Sequence, residues 1–290
     1  MASSPQPNRS QVRFGLRTFL LLTAILAASI GMIGYRASKQ KEAVKFIGQN
    51  GYNVVYDFHY LEPTGMRVQP NGDSRIPRTQ NWFERTLGDD YFHQVRALNQ
   101  RFGMGPPNDP MPFDDLPGLK TLTLFHLPPL ANSEFRNLEH LFLINLYLKP
   151  GEEIDWSLVT KSKNLRLLDL HELTLNDLSP LADLPKLERL RIASSNLESL
   201  KGLEELKQLK RLELDVALEN LEGMPGTSGV EELILTSIKS LKGIENFPNL
   251  KRLNLQTKEV EHIDLLKSIS PLEETRDYPD DGIWYDITTS

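Results

Sequence analysis

From Leu119 onward the apolar positions of this chain fall into one recurring pattern, L-x-x-L-x-L. Its copies begin with Leu119, Leu122, Leu124, then Leu138, Leu141, Leu143, then Leu165, Leu168, Leu170. They continue with Leu187, Leu190, Ile192, then Leu209, Leu212, Leu214, then Val230, Leu233, Leu235, and end at Leu250, Leu253, Leu255. Successive copies begin 19, 27, 22, 22, 21 and 20 residues apart. The last two apolar positions of each copy are two apart, so on a strand both point to one face. Further leucines follow, such as Leu173, Leu175, Leu178, Leu181 and Leu184 after the third copy. A unit this short cannot bury its own apolar face, so neighbours must stack. A long helix is excluded, because the period is not helical and Pro180, Pro185, Pro225 and Pro248 would break it. The pattern predicts a solenoid with one short strand per unit, joined in a parallel sheet roughly 30 Å across at about 4.8 Å per strand.

A second apolar pattern lies at the N-terminus. Thr18 to Tyr35 are 18 uncharged residues between Arg17 and Arg36. As a helix they reach roughly 27 Å at about 1.5 Å per residue, close to a hydrocarbon core of about 30 Å. Ala27-Ala28-Ser29 offers a signal-peptide cleavage site, but the apolar run continues through Ile30, Met32 and Ile33. An uncleaved transmembrane anchor is therefore expected. Arg9, Arg13 and Arg17 precede the span, and Arg36, Lys39, Lys41 and Lys45 follow it, so the positive-inside rule gives balanced votes. The order of short tail, span and large domain is that of a signal anchor, with the repeats outside the cytoplasm.

Between the two patterns, residues 37–50 read as a helix leaving the membrane and ended by Gly51. Alternation at Val54, Tyr56 and Phe58 predicts a strand, and Glu62 to Thr79 a loop. Trp82 to Leu87 reads as a short helix stopped by Gly88, and Tyr91 to Leu98 as a capping strand. The expected organisation is a basic tail over 1–17 and an anchor over 18–35. A juxtamembrane and capping region follows over 36–110, then repeats over 111–275 and an acidic tail or cap over 276–290. Trp284 and Tyr285 are the residues expected to pack there.

Composition narrows the function. Lys and Arg number 33 against 39 Asp and Glu, a net charge of −6, which argues against a nucleic-acid partner. There is no cysteine, so disulfides, thiolate nucleophiles and cysteine metal sites are all excluded. No hydrolase, zinc-protease, Walker or dinucleotide motif occurs. His126, His140 and His171 come from different copies and columns, and Asp277, Asp280, Asp281 and Asp286 lack calcium-loop spacing. No catalytic residue, cofactor or metal is expected.

The repeat resembles the leucine-rich-repeat superfamily, and is most similar to its 22-residue bacterial kind over residues 116–275. The N-terminal half resembles membrane-anchored leucine-rich-repeat proteins of planctomycete bacteria. That likeness is carried by Arg13-Phe14-Gly15-Leu16-Arg17-Thr18, the strand at Tyr56-Asp57-Phe58, and Trp82 followed by Leu87-Gly88-Asp89-Asp90-Tyr91-Phe92. The resemblance implies an α/β solenoid. Its parallel sheet lies on the concave face, with short helical or 3-10 segments on the convex face. The chain departs from the family where an Asn or Cys normally satisfies the turn after each strand. Leu127, Leu146, Leu173, Ser195, Ala217, Ile238 and Lys258 stand there, so the turns need another source of hydrogen bonds.

The resemblance also places partner sites on the concave face, where the outward strand positions lie. Phe125, Phe142, Ile144 and Leu167 are expected to form an apolar area at its N-terminal end. Arg189, Arg211 and Arg252 share a column interrupted by Glu232, with Arg191 and Glu213 beside them. Exposed aromatics next to arginines are the usual ingredients of a binding hot spot. The expected function is a non-catalytic, membrane-tethered module that binds a protein or an envelope polymer. The alternatives are a cytoplasmic-facing scaffold or enzyme regulator, and a hydrolase built on residues 52–110. The sequence does not address oligomeric state.

Overall fold

The computed structural model describes residues 15–59, 81–129, 133–146, 154–193, 196–197, 199–224, 226–227, 229–256 and 260–266, and the strand backbones at 272–275 and 283–287. The expected loop over Glu62 to Thr79, residues 1–14 of the basic tail, and Asp277, Asp280 and Asp281 lie outside them.

The apolar N-terminal segment and the helix expected after it are one element. Helix α1 runs from Leu16 to Gln49, because nothing between them breaks a helix and Gly31 and Gly34 meet no neighbour. Its apolar first half is exposed and is long and apolar enough to cross a membrane or to act as a signal sequence. Burial starts at Ala37 and continues at Gln40, Ala43 and Ile47, three to four residues apart and therefore on one side of the helix. Gly51, at φ +84, then turns the chain sharply. A Cβ there would lie 2.8 Å from the Met104 side chain, so glycine is required by space as well as by backbone.

The chain returns along α1 as strand β1 (Tyr52–Tyr56). Helix α2 (Trp82–Leu87) follows, held by an Asn81–Glu84 capping box and ended at Gly88. Strand β2 (Val95–Gln100) pairs antiparallel with β1 and parallel with β3 (Thr121–Leu124). The repeat strands continue as β4 (His140–Ile144), then, after helix α3 (Ser157–Lys161), β5 (Leu167–His171). Short strand β6 (Thr174–Leu175) precedes β7 (Arg189–Ala193), and short strand β8 (Asn196–Leu197) precedes β9 (Arg211–Leu218). Then come β10 (Glu232–Ile238) and β11 (Arg252–Leu255). Two antiparallel strands, β12 (Leu272–Thr275) and β13 (Ile283–Ile287), close the far end, with β13 paired to β11. Antiparallel strands thus cover both ends of the parallel row, where open edges would invite pairing with another chain.

Register places like on like. Leu122, Leu141, Leu168, Leu190, Leu212, Leu233 and Leu253 face one another across successive strands. Each is fully buried, and one apolar cluster extends from Ala43 and Ile47 of α1 to Leu266. This is the leucine-rich-repeat solenoid expected from the sequence, with short 3-10 turns such as Ser179–Leu181, Leu203–Glu205 and Ile244–Asn246 on its convex side.

The missing asparagines are replaced by a different ladder, placed before five successive convex turns. The side chains of Asp155, Asp177, Ser199, Asn220 and Ser240 each accept a hydrogen bond from the backbone N–H two residues on. These are side-chain turns of the kind that Asp, Asn and Ser make locally. In the last three coils a glycine follows three places later, at Gly202, Gly223 and Gly243, each with positive φ. Asp177→Ala is expected to cost about 1 kcal/mol, as for loss of a helix cap, and Asp177→Ser much less. The urea midpoint of the full-length chain in mild detergent checks this.

Candidate functional site

The register lays out the concave face in columns. One carries Thr121, His140, Leu167, Arg189, Arg211, Glu232 and Arg252. The next carries Thr123, Phe142, Asp169, Arg191, Glu213, Ile234 and Asn254. The column of arginines read from the sequence is therefore present, and so is the interruption at Glu232.

These side chains form a continuous ion chain across five strands. Arg191 donates to Asp169 at 3.2 Å and to Glu213 at 2.7 Å. Arg211 lies 3.7 Å from Glu213 and 2.9 Å from Glu232, and Arg252 donates to Glu232 at 2.7 Å. Three acids and three bases alternate, so the row is neutral in sum. Asp169 is the most confined, at 2% exposure, and its pKa is pushed up to about 6. Burial is the main cause, and it outweighs the Arg191 guanidinium, which acts in the opposite direction; Glu213 adds to the rise. The two carboxylates hold the Arg191 guanidinium charged against its own burial.

The expected apolar area is corrected here. Phe142 and Leu167 are each 1% exposed and form a small cluster of their own, with Ile144 packed against it. They fill space on the concave side and offer no contact surface. The exposed aromatic contact lies at the edge where the strands end. There Phe125, half-buried, meets Phe102 edge-on at 5.4 Å, and Phe102 is 70% exposed. Phe102 was not among the residues selected from sequence, because it lies beyond β2, outside the repeat pattern. Arg191, Arg211 and Arg252 are tied to carboxylates of the same face.

A second polar cluster sits under α1. His93 places Nδ1 2.8 Å from Asp57 and Nε2 3.3 Å from Glu84, with Phe58 edge-on at 4.7 Å. Both ring nitrogens meet carboxylates, so neither is left to activate a nucleophile. The cluster clamps α2 to β1 and β2. Nearby, Gln40 Nε2 donates to Asp90 and to the His93 carbonyl, and Tyr56 donates to Asp90 at 2.9 Å. Burial, then the Asp90 charge, raise the Tyr56 phenol above its usual pKa. The signal for this cluster was Glu84 with Gly88-Asp89-Asp90-Tyr91-Phe92-His93, but its partners Gln40 and Asp57 lie too far along the chain to be paired by spacing. His126, His140 and His171 do not converge, and no three metal-binding groups cluster among the described residues.

No family model and no curated protein matches the chain. Among solved structures, an internalin from Listeria monocytogenes is similar, with a TM-score of 0.40 and 19% identity. The match covers 56% of this chain and 47% of the internalin.

Proposed function

We propose that this chain is a membrane-tethered, non-catalytic leucine-rich-repeat protein that binds a protein or envelope polymer through its concave face. Thr18 to Tyr35 serve as an uncleaved anchor, and the repeats stand outside the cytoplasm. The observation that carries the reading is the contact of Phe102, 70% exposed, with half-buried Phe125 at the rim of the sheet. Rigid aromatics on the surface recur at binding hot spots, because they add contact area at little entropic cost. Half-buried Ile144 adjoins that contact on the next strand, and half-buried Arg189 and Arg252, with 57% of its side chain exposed, stand farther along the same sheet.

A photo-crosslinking side chain placed at Phe125 or Arg252 of the full-length chain is expected to capture one partner in intact cells. The same group at Glu205, on the convex side, is expected to capture none. Phe125→Ala with Arg252→Ala is expected to lower capture by about tenfold or more, the loss of about 1.4 kcal/mol or greater that hot-spot truncation brings. Equal adducts from Glu205, or no adducts anywhere, would remove the concave face from consideration. An impermeant maleimide on Glu219→Cys, a unique thiol in this cysteine-free chain, tests the side. Labelling confined to lysed cells would place the repeats inside.

A further inference from the structure

We infer that the solenoid lies along the bilayer surface, with the edge where its strands begin turned toward anionic lipid headgroups. The inference rests on the anchor reading above. It starts from the rigid join between α1 and the sheet. At the beginning of β2, Val95 donates to Gln40 of α1, and Gln40 donates to the His93 carbonyl at 2.8 Å. At the end of β2, Arg101 donates to the Gly51 carbonyl at 2.7 Å. Strand β2 therefore begins beside Gln40, in the last third of α1, and finishes at its far end, running along the helix and away from the membrane. The seven repeat strands lie parallel to β2, each to the next, so all of them begin on the membrane side.

The distance is short. Gln40 lies five residues past Tyr35, about 8 Å along the axis. The headgroup layer extends roughly 5–8 Å beyond the hydrocarbon. Just there the chain exposes Trp82, Leu87 and Phe92, at 68%, 43% and 46%. Aromatic side chains at this depth sit in the polar–apolar boundary. The comparably exposed Phe102 is at the other end of β2, beside Gly51, and so lies beyond the headgroups.

Charge follows the same polarity. On the strand-start edge, Glu139, Glu188 and Glu231 are each paired within the edge, to Lys120, Arg166 and Lys251. Lys163, Lys186 and Lys207 bond only to neutral acceptors, and together with Lys210 they make no carboxylate pair among the described residues. These four lysines stand in three neighbouring coils of a chain whose net charge is −6, with Asp183, Glu204 and Glu205 in the adjoining turns and Glu231 within the field of Lys210. The opposite edge carries Glu172, Asp215 and Glu219, with Lys239 bound to Glu219. A row of lysines held near a membrane is attracted to acidic phospholipids.

The test uses single-thiol variants of the full-length chain in vesicles of phosphatidylcholine and phosphatidylglycerol. Gln208→Cys reports the strand-start edge, Ala217→Cys the opposite edge, and Leu26→Cys the span. A donor dye at Gln208→Cys is expected to transfer energy to a headgroup-labelled lipid severalfold more than one at Ala217→Cys. The gap is expected to narrow in phosphatidylcholine alone and at 1 M salt, where the screening length falls to about 3 Å. Equal transfer from both edges, or a gap indifferent to lipid charge and salt, would overturn the inference. Leu26→Cys separates it from the reading beneath it. Quenching of that label by brominated acyl chains keeps the anchor standing even if the edges prove equal, whereas no quenching removes the anchor itself.

Discussion

Arg191→Met is expected to destabilise the protein by about 3–5 kcal/mol, the usual consequence of removing one partner from a buried ion pair. Arg191 is the only cation in direct contact with Asp169 among the described residues, and the shorter of its two bonds goes to Glu213. Its loss leaves two confined carboxylates facing each other across β7. Asp169 Oδ1 already has no hydrogen-bond partner, so no spare donor stands ready to replace the guanidinium. Arg191→Lys should recover only part of the loss, because one ammonium cannot present the planar fork that reaches both acids. Equilibrium urea denaturation of the full-length chain in mild detergent measures each. A loss below about 1 kcal/mol would mean that this row behaves as a solvated surface pair.

The pH dependence of that loss has a definite sign. The Asp169 pKa is raised from 3.8 to about 6 in the folded chain, so between these values the folded protein holds a proton that the unfolded chain has released. Stability contributed at this residue therefore falls as pH rises from about 4 to about 6, and is level above that. Without Arg191 the carboxyl moves further up. At this residue the deficit in Arg191→Met is expected to be level between about pH 4 and 6, where both folded proteins hold the proton, and to grow as the pH rises above 6, where only the parent has released it. A deficit that does not grow as the pH rises above 6 would detach the effect from Asp169.

The core of this fold was legible because it depends on local rules. A period of two within each strand and a return every 20 or so residues fix which leucines meet, and the register pairs those residues. The columns of the concave face were legible for the same reason. What the sequence did not reveal was their accessibility. Phe142 is outward-facing by period, yet 1% exposed, because burial on that face is set by side chains from other coils. The same holds for the arginines, whose charges are cancelled by acids 20 to 22 residues away. Continuity of α1 was hidden because the change from exposed apolar to core-facing residues at Ala37 needs no break in the backbone. The strand at 283–287 was read only as tail or cap, since five residues after an acidic stretch carry little periodic signal. The side-chain ladder could have been found: Asp155, Asp177, Ser199, Asn220 and Ser240 recur at 22, 22, 21 and 20 residues, the interval of the repeat. Its signal is weak because the residue type changes from Asp to Ser to Asn between coils.

That ladder leads to the second large effect. In the later coils it reads Ser199-Leu200-Lys201-Gly202, Asn220-Leu221-Glu222-Gly223 and Ser240-Leu241-Lys242-Gly243. Gly243→Ala is expected to cost about 3 kcal/mol or more. The residue has φ +90, where an L side chain strains the backbone by roughly 1–2 kcal/mol. A Cβ there would also lie 2.2 Å from the Leu221 carbonyl carbon, 2.3 Å from its oxygen and 2.5 Å from the Glu222 nitrogen. All three are backbone atoms of the preceding coil, so relief requires two coils to separate, and forced overpacking adds about 1–3 kcal/mol. Gly223→Ala supplies the control. It has φ +74 but no atom within 4 Å of the added carbon, so only the backbone strain applies. The urea midpoint should therefore fall much further for Gly243→Ala than for Gly223→Ala, with Gly202→Ala close to the former. Equal losses at 223 and 243 would mean that the glycines serve the turn alone and that the coils do not depend on backbone contact to stack.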